Sequence, residues 1–457
     1  MSKSTKQSVL FEDSFGKPVH VAFDAEGQTS DAGVLLLAAA DRKLRLTSAL
    51  ASHLVDTRSK GMVVHSLADV LRQRTFAIAA GYEDGNDAAK LRSDSALLLA
   101  CRGSSTGTAL ASQSSISRFE NSVSAEAAVH MGRELEDIAV AQLRRRRKKG
   151  RRRQRIIIDL DPSVDPAHGA QQGVLFHGFY GRWCYLPMFG FLSFEGSPSQ
   201  LLFSARLRPG TSRESHGTIP LLRRIVAKIR ESFGPRQGIV VRLDGGFLYP
   251  RILDELERLN VRYVVGMGTN KRLQAVSSKM LPALREQAKD TGEAARSFDE
   301  SQYRARSWSH ERRVITKAEV IPYPGRPTKE NPRHVVTNLR GRPESIYELY
   351  CMRGDAENRI KELKCDLQVD RTSCSRFVAN QVRVLMTAAA FVLYQEIRWR
   401  VRTRLAQAQV GRLRDVLVKV GARIVESTRR VVLRMPQHFA FQEDWIAAAR
   451  ALGARFG

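Results

Sequence analysis

The chain has 457 residues, 43% of them hydrophobic, which is enough for packed cores and excludes wholesale disorder. Its 74 Lys and Arg outweigh 47 acidic residues to leave a net charge of +27, a balance that points to a polyanion, nucleic acid before an anionic membrane surface. No run of about 18 apolar residues and no apolar leader is visible, so neither a membrane-spanning helix nor a secretory signal is expected, and five cysteines without a CxxC pair exclude a zinc knuckle or disulfide framework and suit a reducing cytoplasm.

Residues 1–143 are predicted to be mainly helical, because DAGVLLLAAADRKLRLTSALASHLVD, HSLADVLRQRTFAIAAGYED and SAEAAVHMGRELEDIAVAQLRRR show helical apolar recurrence. The basic run 144–155, RRRRKKGRRRQR, puts ten cations in twelve positions. Such a block repels itself and stays solvated, so it reads either as a plain linker or as an arm that tracks phosphates. Its members Arg144, Arg145, Arg146, Arg147, Lys148, Lys149, Arg151, Arg152 and Arg153 are candidate DNA contacts that would position the duplex without selecting a sequence.

Residues 156–268 alternate differently. The β-branched run Ile156–Ile158 predicts a buried strand ending at Pro162, and two further strands are expected within 173–208. TIPLLRRIVAKIRESFG carries Leu222, Ile225, Val226 and Ile229 at amphipathic spacing, and GIVVRLDGGF reads as a strand closed by a glycine turn. A helix over 250–260 and the strand VRYVVGMG complete an α/β pattern. Residues 269–345 change rhythm and read as an inserted, mostly β segment, in which Trp308 stands among cations (RSWSHERR). A lone tryptophan is more often core, but this setting also suits base stacking. Helices are expected over 346–410, and 411–457 ends in a β-hairpin, ARIVESTRRVVLRMP.

Within YCMRGDAENRIKELK, Tyr350, Arg353, Glu357 and Lys364 recur at spacings of three, four and seven, which on one helix returns all four to one face. An aromatic hydroxyl, two cations and a carboxylate make a poor core and a good seat for a phosphodiester beside a metal-binding acid. Glu362, Asp355 and Asp366 nearby read as surface acids. Asp159 and Asp161 are two apart on one strand face, and Asp244 ends another strand beside two glycines. Three acids on two strands and a helix suit Mg²⁺, which takes hard oxygen ligands and commonly pairs with a second ion during displacement at phosphorus.

The four-residue stripe and the segments DLDPSVDPAHGAQQG, LRPG, VRLDGGF and DAENRIKELKCDLQVDRTSCSRFVANQ resemble DDE transposases of bacterial insertion sequences with a Y-R-E-K signature, and more narrowly the insertion sequence 1380 family. The resemblance implies an α/β, RNase H-like catalytic core in two parts (156–268 and 346–410) around the insertion 269–345, behind a helical DNA-binding region. It implies Asp161, Asp244 and Glu357 as catalytic, metal-holding acids, with Asp159 as the alternative to Asp161, whose Asp161-Pro162-Ser163 context fits the family pattern. Tyr350, Arg353 and Lys364 would then hold DNA phosphates, and Trp308 would stack a flipped base. The implied cofactor is Mg²⁺, with Mn²⁺ able to substitute, as two ions. The implied activity is cut-and-paste cleavage and strand transfer through a hairpin intermediate. The implied partners are double-stranded DNA, as terminal inverted repeats and target, and a second copy as a homodimer on DNA, with no membrane; the setting is a bacterial cytoplasm and its nucleoid. An RNase H-like nuclease without strand transfer, or an inactive basic DNA-binding protein, are the competing readings.

Overall fold

The structure is a computed structural model that describes residues 8–11, 16–147, 150, 154–213, 215–323, 325–401 and 403–455. The chain divides into two compact units, 120–392 and a second made of 1–119 with 393–457.

Unit 120–392 is built on a mixed sheet of nine strands among the described residues. In chain order these are β1 (Ile156–Pro162), β2 (Met188–Phe194), β3 (Leu201–Arg206), β4 (Ile239–Leu243), β5 (Arg262–Met267), β6 (Ala295–Tyr303), β7 (Arg312–Tyr323), β8 (Arg326–Glu330) and β9 (Arg333–Thr337). Their order across the sheet is β6-β7-β9-β5-β4-β1-β2-β3, with β8 paired to β7. β1, β4 and β5 run parallel; β2 lies antiparallel to β1, and β9 antiparallel to β5. The strands of 269–345 therefore extend the main sheet instead of forming a separate module. That segment opens with the helix Lys271–Thr291 and continues in strands.

The helices used below are α1 (Ala125–Arg146), α2 (Thr218–Phe233), α3 (Pro250–Arg258), α4 (Lys271–Thr291), α5 (Pro343–Cys351), α6 (Gly354–Cys365) and α7 (Phe377–Arg400). α2 buries Leu221, Leu222, Ile225, Val226 and Ile229, the stripe its spacing dictates, and stops at Gly234, whose φ of 103° other residues rarely adopt. α3 opens on Pro250, where a missing N–H costs nothing. The strand alternation of β1 sorts side chains between two cores. Ile156, Ile158 and Leu160 pack with α2 and α3, whereas Ile157 packs with Ile346, Tyr347 and Leu349 of α5.

α7 has 24 residues, and an 18-residue window of it with a mean hydropathy of 1.4 is apolar enough to cross a membrane by length and composition, yet 83% of that window is buried inside the protein. Buried Asn380, Arg383, Gln395 and Glu396 along it fit a protein interior.

In the unit of 1–119 and 393–457, the helices Val34–Leu44, Leu67–Ala79 and Ser95–Arg102 bury apolar faces, and a hairpin pairs Ala422–Glu426 with Val431–Arg434. The hairpin's inner strand also pairs with Gln28–Thr29, joining Ala422 to Thr29 and Arg423 to Gln28. Ala32 and Gly33 donate backbone bonds to Val420 and Val418, and Lys419 pairs with Asp31 at 2.8 Å while standing over the Tyr82 ring. This division groups segments that the sequence reading, with its boundaries at 143 and 411, keeps apart.

Candidate active site

Asp159 and Asp161 share the face of Ile157, the face that α5 covers. On β4, Val240 marks the same face, which assigns Arg242 and Asp244 to it. The parallel register sets Arg242 against Asp159, so two residues further along Asp161 comes beside Asp244. On β5, Val264 marks the face and Gly266 follows. The carboxyl ends of the three parallel strands thus present Asp161, Asp244 and Gly266 together.

The two neighbouring aspartates do different work. Asp159, 1% exposed, accepts both arms of the Arg242 guanidinium at 2.7 and 2.6 Å and the Gln200 amide at 3.1 Å. Arg242 also donates to the Leu349 carbonyl at 3.0 Å. Asp161 faces Arg353 at 3.2 Å. Burial lifts its pKa; Arg353 pulls it back, and Asp244 and Glu357 push it further, to about 7. Asp244 accepts the Gly246 N–H at 3.0 Å, which pins the glycine turn under it. Glu357, on the exposed side of α6, meets Arg353 at 2.7 Å. Arg353 thereby bridges Asp161 and Glu357.

Tyr350 leans on β5. A Cβ added at Gly266 would lie 2.5 Å from its hydroxyl, so only glycine lets the ring approach. Burial raises the Tyr350 pKa, Asp244 adding to the rise and Arg353 opposing it, which keeps the phenol protonated. Lys364 donates to the Val164 carbonyl at 2.5 Å and so ties α6 to the segment after Asp161.

Several expectations need correction. The stripe does not lie on one helix, since Tyr350 belongs to α5, Arg353 to the junction, and Glu357 and Lys364 to α6. Between them the backbone tightens to three-residue bonds, Arg353 to Tyr350 and Ala356 to Arg353, as the helix meets Gly354, a weak helix former. Trp308 is 4% exposed in the apolar core, edge-on to Tyr303 and under the Arg312 guanidinium, which leaves no face for a base. Glu362 is buried and pairs with Arg359 at 2.5 Å, because it falls on the inner side of α6 with Ile360 and Leu363. In the basic run, Arg144, Arg145 and Arg146 form the last turn of α1 instead of an arm, where cations complement the helix dipole, and Arg147 lies over the Phe233 ring. Lys148, Lys149, Arg151, Arg152 and Arg153 lie outside the described residues.

Sequence reasoning missed Arg242 and Gly266. The signals were there: Arg242 alternates with Asp244 in VVRLDGG, and a glycine interrupts the β-branched run of VRYVVGMG. Among the described residues, the acids and imidazoles whose ligand atoms all lie within 4.8 Å are Asp254, Glu257 and His310. Asp161, Asp244 and Glu357 are not gathered to that distance. Arg312, itself buried, already pairs with Asp254 at 2.6 Å and Glu257 at 2.8 Å, so the tighter cluster holds a guanidinium.

Residues 11–454 match the family described as Transposase DDE domain group 1. The chain belongs to that family. For this DDE transposase domain, a similar solved structure is that of a piggyBac transposase synaptic complex with hairpin DNA, 11% identical, covering 85% of this chain and 80% of that one at a TM-score of 0.37. No curated protein matches the chain.

Proposed function

We propose that the chain is the DNA transposase of an insertion sequence of the 1380 type, working in a bacterial cytoplasm on the ends of its own element. The family membership supports transposition, and one observation carries the catalytic reading. Asp161 and Asp244 stand at the carboxyl ends of neighbouring parallel strands, and Arg353, 3.2 Å from Asp161 and 2.7 Å from Glu357, ties the third acid on α6 to the same end. The strand order 3-2-1-4-5 of β3, β2, β1, β4 and β5, with β1, β4 and β5 parallel, supports an RNase H-like core.

Three mutually repelling carboxylates, held in part by a guanidinium, are a donor set that suits hard divalent cations. Asp161, Asp244 and Glu357 would hold them, as Mg²⁺ or Mn²⁺. Such ions, when bound, activate an attacking oxygen and stabilise the leaving one. The chain's own groups do the rest. Arg353 and Lys364 supply fixed positive charge for the backbone phosphates flanking the scissile bond. The neutral Tyr350 hydroxyl donates a hydrogen bond there without adding charge. Water attack at the element end breaks the P–O3′ bond and releases a 3′-hydroxyl. That hydroxyl attacks the opposite strand to give a hairpin end, and after opening it attacks target DNA. Each step is the same in-line displacement, so one set of acids serves all. The terminal inverted repeats are bound by the helical N-terminal region and the 144–155 segment, with two copies of the chain pairing the ends.

The test is cleavage and joining of DNA carrying the element's ends, in Mg²⁺. Asp161→Asn, Asp244→Asn and Glu357→Gln are each expected to lower cleavage by at least about 10³-fold while leaving DNA binding intact. Near-normal cleavage by any of the three overturns its place in the site. Cleavage without joined product by the wild-type chain leaves a nuclease instead.

A further inference from the structure

Between Asp161 and β2 the chain makes a small three-stranded sheet from Asp165–Pro166, Leu175–His177 and Arg182–Tyr185. The central strand, Arg182–Tyr185, forms a hairpin with the edge strand Leu175–His177, and the half of it nearer the turn is aromatic and exposed while Cys184 and Tyr185 are buried. Phe176 and Trp183 face each other across the ladder, 50% and 57% exposed, with ring centroids 6.0 Å apart. At the tip Phe179 is 87% exposed and packs edge-on to Tyr180 at 5.0 Å. Gly181, with φ of 62°, closes the tip, and its N–H bonds the His177 carbonyl. Contiguous exposed aromatics are uncommon on a solvated surface and mark an interaction site.

The hairpin is wired to the acids. It runs directly into β2, whose first residue, Met188, pairs with Pro162 beside Asp161. The Ser163 N–H bonds the Pro187 carbonyl, and Asp165 pairs with Tyr185 across the small sheet. Asp165 is also held by the Thr372 hydroxyl at 2.9 Å. Thr372, with His168, Gln171, Asp370 and Arg371, lines a cavity of about 400 Å³ at this end of the unit. The segment 166–184 contains His168, His177 and Arg182 and no carboxylate of its own, so the hairpin carries cationic but no acidic side chains.

We propose that this hairpin is a stacking surface for unpaired bases of the DNA strand held at the acids. The inference rests on the function proposed above. The rings of Phe176, Phe179 and Trp183 offer flat apolar faces that any base can stack on, and Arg182 beside them offers a cation to the backbone. Stacking of this kind favours frayed or single-stranded ends over intact duplex, which is the form a strand takes as it leaves its partner at a cleaved end.

The experiment uses the full chain, a 20-nucleotide oligo-thymidine, a blunt duplex and the same duplex with a forked end. Oligo-thymidine is expected to quench tryptophan fluorescence in wild type, and Trp183→Phe should abolish that quench while holding affinity within about 3-fold. Phe179→Ala combined with Trp183→Ala should weaken oligo-thymidine and forked DNA by about 10-fold or more and blunt duplex by under about 3-fold. Equal quenching in Trp183→Phe overturns the proposal, as does an equal loss for blunt and single-stranded DNA. So does a double variant that keeps its DNA affinities but loses binding to phosphatidylserine vesicles, or self-association. If the double variant misfolds by thermal unfolding, the Trp183→Phe quench decides alone. Wild type that quenches but never cleaves sinks the transposase reading and leaves the stacking surface; wild type that cleaves without quenching sinks the stacking surface only.

Discussion

Asp159 and Asp161 sit two residues apart on one strand, and they separate a carboxylate that holds the fold from one that is held by it. Asp159→Asn would leave the Arg242 guanidinium buried beside a neutral partner, so a loss of ~3–5 kcal/mol in unfolding free energy is expected by denaturant titration. Asp161→Asn removes a crowded acid with a raised pKa and should unfold at the wild-type denaturant midpoint or above it, while cleavage is lost. If both variants destabilise alike, the division of labour fails. Gly266→Ala puts a methyl 2.5 Å from the Tyr350 hydroxyl, so cleavage should fall with little change in DNA affinity. Trp308→Ala empties a core position and is expected to cost ~3–5 kcal/mol of stability, the signature of a packing residue. At this scale the sequence exposed residue types and spacing but not partners. Spacing alone brought Asp159 and Asp161 to one face, and only the register with β4 tells which one meets Arg242. Trp308 misled because cations surround it in sequence, whereas in the fold one of them, Arg312, covers its ring.

Elements were legible where a period was strong. The stripe of α2 and the β-branched run of β1 follow from hydrophobic alternation, because each element buries one continuous face. The α5–α6 junction was not legible, because a tightened turn preserves composition and spacing while changing the angle between residues. The small sheet after β1 was partly legible as strands in 173–208, but its coupling to the distant Thr372 was not. That coupling has a pH signature. Burial lifts the Asp165 pKa to about 8 against the hydrogen bond from Thr372. A folded pKa above the unfolded one means the contribution is intact below about pH 4 and is lost as pH rises toward 8, with a slope of up to ~1.4 kcal/mol per unit. Asp165→Asn should therefore gain on wild type between pH 5 and 8 in thermal unfolding and show no further gain above that window. A constant offset at all pH values would mean Asp165 is ionised in the folded chain.

At the scale of the whole chain, the net charge of +27 announced a polyanionic partner correctly in kind, given the family. It said nothing of how segments group, since charge and composition carry no information on long-range pairing. The C-terminal hairpin strand beside Gln28–Thr29 is the clearest case. Deleting 417–434 is expected to unfold the helices of 34–102 while 120–392 keeps its cooperative unfolding, which hydrogen exchange on the two segments would check. The same pairing sets an order in time. During synthesis at ~5–20 residues per second, Thr29 waits roughly 20 to 80 s for Ala422 to emerge, whereas every strand of the nine-stranded sheet is out well before. An early strand thus waits for one of the last, and a chain still on the ribosome carries the nine-stranded sheet before it has all of the second unit.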